Sequence, residues 1–201
     1  MKPTANSPAA WDARASAPTS WQAAMWSEQS QDTRFNMACS WLEELVAPDE
    51  IVLDFGCGTG HLADAIVACG APMSHTRYVG YDWSPAMRAR ARADQPSTRW
   101  PRFSILETVL VDDVFDHVVC LGPFNLSDKW TRGDTLDALA TLWAVTRRSM
   151  IVSLYRGQEK TGMISYGLED AKRIIERLGY PRFTFTTEHL GNDMMLRFLR
   201  R

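Results

Sequence analysis

The sequence predicts an α/β protein built on a doubly wound, mostly parallel seven-stranded sheet that ends in an antiparallel hairpin. Three observations carry this expectation. Short continuous apolar runs such as "IVLDF" (51–55) and "FDHVVCL" (115–121) have the pattern of strands buried on both faces. They alternate with segments of helical period, and strands alternating with helices imply a parallel sheet. The final stretch, "RFTFTTEHLGNDMMLRFLR", alternates twice around Gly191 and Asn192, which predicts a hairpin.

Taken in order, residues 1 to about 18 are rich in Pro, Ala and Ser and read as a flexible arm that cannot repay its ordering entropy alone. Residues 1–28 are therefore expected to be an N-terminal arm or lid, and residues 29–201 the folded domain. Between Ser30 and Val46, Phe35, Cys39, Leu42 and Val46 recur at helical spacing, and Pro48 stops the run. The strand 51–55 follows, then glycines, then a helix in "HLADAIVACG" that ends at Gly70. The stretch 77–83 repeats the theme, with Pro85 suited to the first turn of the next helix. Residues 102–107 and 115–121 are further strands, 134–148 a helix, 149–155 a strand, and "GLEDAKRIIERLGY" a helix before the hairpin.

Composition narrows the function classes. With 45% hydrophobic residues in 201, the chain can bury the core of one ordinary domain. A net charge of -2 without a Lys/Arg run gives no support to a nucleic-acid or anionic-membrane partner. Arg88, Arg90 and Arg92 sit at alternate positions of a helix and point to different faces. Cys39, Cys57, Cys69 and Cys120 form no C-x-x-C pair, so no metal site is expected and the thiols read as reduced and cytosolic. No signal-peptide core or membrane span is recognisable, and the chain reads as soluble and cytoplasmic.

The chemistry concentrates at "VLDFGCGTG", where Asp54 precedes Gly56, Gly58 and Gly60. A dinucleotide fingerprint would place its third glycine at position 61, which is His61. Glycines here let backbone approach a ligand at the carboxyl end of the first strand, beside a helix N-terminus. Asp82 ends the second strand, at about the offset where an acid meets ribose hydroxyls. The two features together read as a nucleoside site. Asp82 has a second reading as a helix cap before Pro85, a role open to Ser84 as well.

"VLDFGCGTG" with "YVGYDWSP" resembles the class I S-adenosylmethionine-dependent methyltransferases, and the order of elements matches their seven-stranded, Rossmann-like fold over roughly residues 30 to 201. The resemblance implies S-adenosylmethionine as cofactor, with Asp54, Gly56, Cys57, Gly58 and Gly60 against its methionine and ribose portions. It implies Asp82 on both ribose hydroxyls and Trp83 beside the adenine. Glu107 stands where the family often has an acid near the adenine amino group, although Leu106-Glu107 replaces the usual Gly-Asp. "MWSEQSQDTRF", "GPFNL" and "GNDMMLRFLR" also resemble a group of small bacterial and phage methyltransferases, in which a small residue and Phe-Asn follow the fourth strand.

The acceptor side is read from what surrounds that edge. "GPFNLS" is neither N-P-P-Y nor D-P-P-Y, which argues against amino methylation of adenine or glutamine, and it has no Pro-Cys nucleophile for cytosine C5 chemistry. Asn125 offers a carbonyl acceptor and two amide donors, and Phe124 an apolar wall; alternatively Asn125 satisfies loop backbone. Tyr155 and Arg156 end the fifth strand, and either touch substrate or form an ordinary strand end. Trp21 and Trp26 either cap the site as a lid that excludes water or pack over the sheet edge. Arg34 pairs with Glu28 or Asp32 at the surface, or binds the cofactor carboxylate or an anionic substrate. His61 reads as structural, His117 as facing a neighbour within its strand, and His189 as solvated. Methyl transfer from a sulfonium needs a base only when the acceptor must lose a proton, so no catalytic residue is assigned. The expected activity is methyl transfer to N or O of a small molecule. The alternatives are a non-catalytic S-adenosylmethionine-binding regulator and a methyltransferase of RNA or protein.

Overall fold

The computed structural model describes residues 8–95, 102–109, 112–158 and 162–200. In chain order the elements are α1 (Pro8–Arg14), α2 (Ser20–Ala23), α3 (Glu28–Glu43), β1 (Ile51–Phe55), α4 (Leu62–Ala68), β2 (Arg77–Tyr81), α5 (Pro85–Asp94), β3 (Phe103–Ile105), β4 (Phe115–Leu121), α6 (Arg132–Ala144), β5 (Thr146–Tyr155), α7 (Leu168–Arg177), β6 (Arg182–Thr186) and β7 (Asp193–Leu199). The strands form one seven-stranded sheet in the order β3-β2-β1-β4-β5-β7-β6. The first five run parallel, and β7 lies antiparallel between β5 and β6. Because β1 sits between β2 and β4, the direction of winding reverses there, and ligands of open α/β sheets bind in the crevice at such a switch.

Both sheet faces are covered, which explains the unbroken apolar runs. Val119 and Leu121 of β4 join Ala38, Leu42, Leu62, Ile66 and Ala91 from α3, α4 and α5. Val118 and Cys120, one residue out of phase, join Leu139, Trp143, Ala171 and Ile174 from α6 and α7. The period-2 alternation of a strand thus feeds two separate cores. Among the described residues no helix is long and apolar enough to cross a membrane.

The structure departs from the sequence expectation at two boundaries. The helix expected over 134–148 ends at Ala144, and β5 begins at Thr146. The Thr146 hydroxyl closes the helix by donating to the Leu142 carbonyl at 2.6 Å, while Thr146 pairs with Phe115 and the Arg148 carbonyl accepts from the Arg200 N–H. Ladder pairing on both sides outweighs the local helical preference. At the other end, residues 1–7 of the expected arm lie outside the described residues, but 8–14 and 20–23 are helical. The segment is fastened to α5: Asp12 accepts from the Ser84 hydroxyl at 2.5 Å, and Arg90 donates to the carbonyls of Ala15 and Ala17 at 2.9 and 2.5 Å.

One buried ion pair ties α3 to the C-terminal hairpin. Arg34 Nε donates to Asp193 Oδ2 at 2.6 Å, and Asp193 also accepts from Ser153 Oγ at 2.8 Å. Both side chains are buried, so the pair is held by these hydrogen bonds rather than by solvent. Removing one partner strands the other charge. Arg34→Met is expected to lower unfolding stability by about 3–5 kcal/mol, and Arg34→Met with Asp193→Leu to recover most of that loss, measured by denaturant titration.

Candidate active site

A cavity of about 930 Å³, counted with the space by which it opens to solvent, lies at the carboxyl ends of β1, β2 and β4, roofed in part by residues between Trp11 and Trp26. Its floor is set by the loop after β1. The Gly56 and Cys57 N–H groups both donate to the Tyr81 carbonyl, at 2.7 and 2.9 Å, which turns the chain sharply across the end of β2. Gly56 has φ +84, and a Cβ there would lie 2.7 Å from Pro123 Cβ, so this turn and its contact with the β4 exit require glycine. At Gly58 a Cβ would meet nothing within 4 Å, because it would enter the cavity. Two features on this wall suit a nucleoside cofactor: a ledge of bare backbone and a buried carboxylate beside it.

That carboxylate is Asp82. Its Oδ2 accepts from the Gly58 N–H and its Oδ1 from the Ser84 N–H, both at 2.9 Å. Burial is the largest influence on its pKa, which is pushed up to about 6 despite those two donors. Asp54, on β1, is wholly buried and pushed up to about 7, with the Tyr78 hydroxyl donating to its Oδ2 at 2.6 Å. The Cys57 thiol is pushed well up by burial and by the two carboxylates, so it is no thiolate. Trp83 forms the adjoining wall, with Trp11 edge-on to it at 6.2 Å between ring centroids.

The opposite wall comes from the exit of β4 and from the N-terminal segment. Gly122, at φ +82, lets the chain turn beneath Trp26, whose Cζ2 would stand 3.0 Å from a Cβ on that glycine. Trp26 is edge-on to Phe35 at 6.4 Å, with the Arg34 guanidinium 4.6 Å over its ring. Asn125 is buried, and its Oδ1 accepts from the Tyr155 N–H at 2.8 Å.

Of the residues singled out in the sequence, Asp54, Gly56, Cys57, Gly58, Asp82, Trp83, Asn125 and Trp26 reach the cavity wall. Six do not. Gly60 packs under α5, where a Cβ would press on Ala91 and Phe103. Glu107 points outward, held by Arg88 at 2.8 Å and by Arg92, which also removes those arginines from any basic patch. Arg34 pairs inward with Asp193 rather than with Glu28 or Asp32. Phe124 faces the other side of the sheet, stacked on Phe55 at 5.9 Å and edge-on to Trp130. Tyr155 is buried with its hydroxyl on the Gln158 carbonyl, and Arg156 is exposed beyond it. His189 is likewise not solvated: its ring is 1% exposed, with Nε2 3.4 Å from Asp193. His61 does line the cavity, its Nδ1 3.0 Å from the Thr59 hydroxyl, whereas His117 bonds Glu50 and Ser149 near the start of β4. Sequence reading missed Gln31 and Met163 on the wall. Gln31 was detectable one helical turn before Arg34 and Phe35; Met163, in a loop, had no signal.

An α/β sheet with a glycine ledge, a buried acid at the end of the second strand and an aromatic roof defines a nucleoside-cofactor protein of the methyltransferase type. Residues 52–148 match the family model described as a methyltransferase domain, and the solved structures that the chain resembles include methyltransferases with bound SAH and SAM. Among curated proteins it is 35% identical over 83 residues to a ribosomal protein L11 methyltransferase of Burkholderia cenocepacia; the match covers 41% of this chain and 26% of that one, so the chain spans about a quarter of that relative's length. Among solved structures, magnesium protoporphyrin IX methyltransferase of Synechocystis with bound SAH superposes with a TM-score of 0.67 at 18% identity, covering 86% of this chain and 84% of that one. A TehB-like SAM-dependent methyltransferase of Corynebacterium glutamicum gives 0.63 at 16% identity, covering 97% and 100%. At these identities the two structures establish the fold.

The raised carboxylates carry a stability cost with a defined sign. Asp54 has a folded pKa of about 7 against about 3.9 unfolded, so its stabilising protonated form is complete below the unfolded value and lost as pH rises through 7. Asp54→Asn keeps an acceptor for Tyr78 without the charge. It is expected to raise the melting temperature of the cofactor-free protein at pH 8, with the gain shrinking steadily toward pH 4 in thermal scans.

Proposed function

We propose that the chain transfers the methyl group of S-adenosylmethionine to nitrogen or oxygen of a small-molecule acceptor held in the cavity. The observation that carries this reading is the roof: Trp26 and Phe35 line the same cavity as Asn125 and give an acceptor apolar cover at the sheet edge, which suits a small molecule held in the cavity. The ion pairs that occupy Arg88, Arg90 and Arg92 further reduce the case for RNA. The name of the ribosomal-protein relative supports a protein acceptor as the second reading, over a minor part of that relative's length. A cytoplasmic setting fits the four free cysteines.

When bound, S-adenosylmethionine supplies a methyl group already activated on a sulfonium. Asp82 would accept hydrogen bonds from the ribose hydroxyls through lone pairs its two backbone donors leave open, and the Gly56–Gly58 backbone would bear the methionine portion. Trp83 and Trp11 would form the wall against the adenine. Trp26, Phe35 and Asn125 would position the acceptor and limit water, supplying rate through proximity rather than proton transfer.

Two measurements test this. In a lysate depleted of small molecules and then supplemented with its own dialysate, adding the protein should move label from methyl-labelled cofactor into a second dialysable compound that chromatography separates from the cofactor. Label in precipitable protein or RNA would overturn the small-molecule reading, and binding of S-adenosylhomocysteine with no label transfer would favour the regulatory alternative. For the roof, Trp11→Ala and Arg90→Ala are each expected to weaken S-adenosylhomocysteine about tenfold by calorimetry. Unchanged affinity in both would remove the N-terminal segment from the cofactor site.

A further inference from the structure

The two amides of the acceptor wall share one property: each oxygen already accepts a hydrogen bond from the protein, and each nitrogen is turned elsewhere. Asn125 is only 5% exposed, and its amide orientation is fixed, because the Tyr155 N–H can only donate and therefore claims Oδ1. That turns Nδ2, with its two N–H groups, toward Gly122 at the cavity edge. Gln31, 7% exposed, accepts from the Ser20 hydroxyl through Oε1 at 2.8 Å, which leaves Nε2 on the same wall. Among the described residues the side-chain hydrogen bonds of Asn125 and Gln31 run through Oδ1 and Oε1, and neither Nδ2 nor Nε2 donates to a protein acceptor. The wall therefore presents donors.

Among the described residues it also presents no base. The titratable side chains of the cavity, Asp54, Cys57, His61 and Asp82, all stand on β1, β2 and the loops that follow them, on the cofactor side. The opposite side carries Trp26, Phe35, Leu121, Leu126 and Met163 beside the two amides. An alcohol would need its proton removed there. An amine would point N–H donors at N–H donors, leaving both sets unsatisfied in a buried site.

We propose that the acceptor is the carboxylate of a small apolar acid, the product being its methyl ester. This rests on the methyltransferase reading above and names the substrate class of the same site. A carboxylate is ionised at neutral pH without help, its ordinary pKa being about 4. One oxygen accepts from Asn125 and Gln31 while the other attacks. The attacking oxygen forms a bond to the methyl carbon as the carbon–sulfur bond breaks, its electron pair passing to sulfur; an ester and a neutral thioether result, and no proton is released. A cation and an anion both disappear in this step, and a weakly polar wall of Trp, Phe, Leu and Met favours such charge cancellation over the separated ions. The aromatic pair Trp26 and Phe35 suits an apolar body on the acid.

The test uses the full chain loaded either with sinefungin, a cationic analogue that cannot transfer, or with S-adenosylhomocysteine, which is neutral at sulfur. Phenylacetate, hydrocinnamate and octanoate are titrated by calorimetry against their amides and against phenylethylamine. At least one acid is expected to bind roughly tenfold more tightly to the sinefungin complex than to the S-adenosylhomocysteine complex, with its amide showing no such preference. With S-adenosylmethionine that acid should yield a base-labile methyl ester. Asn125→Asp, which keeps the acceptor for Tyr155, should lose the acid's binding roughly tenfold or more, with circular dichroism as the folding control. Acids that bind no better than amides, no binding by any acid, or tighter binding of the amine would overturn the carboxylate assignment while leaving the cofactor site intact. Failure of both sinefungin and S-adenosylhomocysteine to bind would instead overturn the reading on which it rests.

Discussion

The site depends on one carboxylate. Asp82 accepts from Gly58 in the first crossover loop and from Ser84 in the second, so a single side chain fixes two loops at the carboxyl edge of the sheet. Ser84 then caps α5 through Met87 and donates its hydroxyl to Asp12, which extends the tie to the N-terminal segment. Arg88 reinforces the arrangement by donating to the Asp82 carbonyl at 2.6 Å. Ledge, wall and roof are thus consecutive links from the same acid. Its buried charge is unfavourable in the free protein, and hydroxyl donors from a ligand would relieve that penalty.

The two halves of the cavity divide their chemistry. The half built by β1 and β2 is carboxylates and backbone, suited to hydroxyls and amines. The half built by the β4 exit, α3 and the N-terminal segment is aromatic rings and amides. This division follows from topology: the parallel switch delivers glycine loops on one side, while β4 ends in Gly122 and a short 3-10 turn that withdraws Phe124 and advances Asn125. Neighbouring residues of one turn therefore serve the core and the site separately.

The sheet and the cofactor half were legible in the sequence because their signals are local. A doubly buried strand must be apolar throughout, and a backbone ledge must be glycine at Gly56 and Gly58. The acceptor half was less legible because its residues act through partners distant in sequence. Nothing local told that Arg34 would meet Asp193, that Glu107 would be drawn outward by Arg88 and Arg92, or that Phe124 would stack on Phe55. Nor does the Ala- and Pro-rich composition of residues 8–23 reveal helices that are stabilised by Asp12 and Arg90 rather than by their own propensity.

The Arg34–Asp193 pair also joins two distant parts of the molecule. Arg34 belongs to α3 and Asp193 opens β7, which lies between β5 and β6. The guanidinium that pairs with Asp193 also lies over the Trp26 ring. The aromatic wall of the cavity is thereby coupled to the C-terminal hairpin, so a substitution in β7 that displaced Asp193 would shift Trp26 through Arg34 without touching the cavity itself.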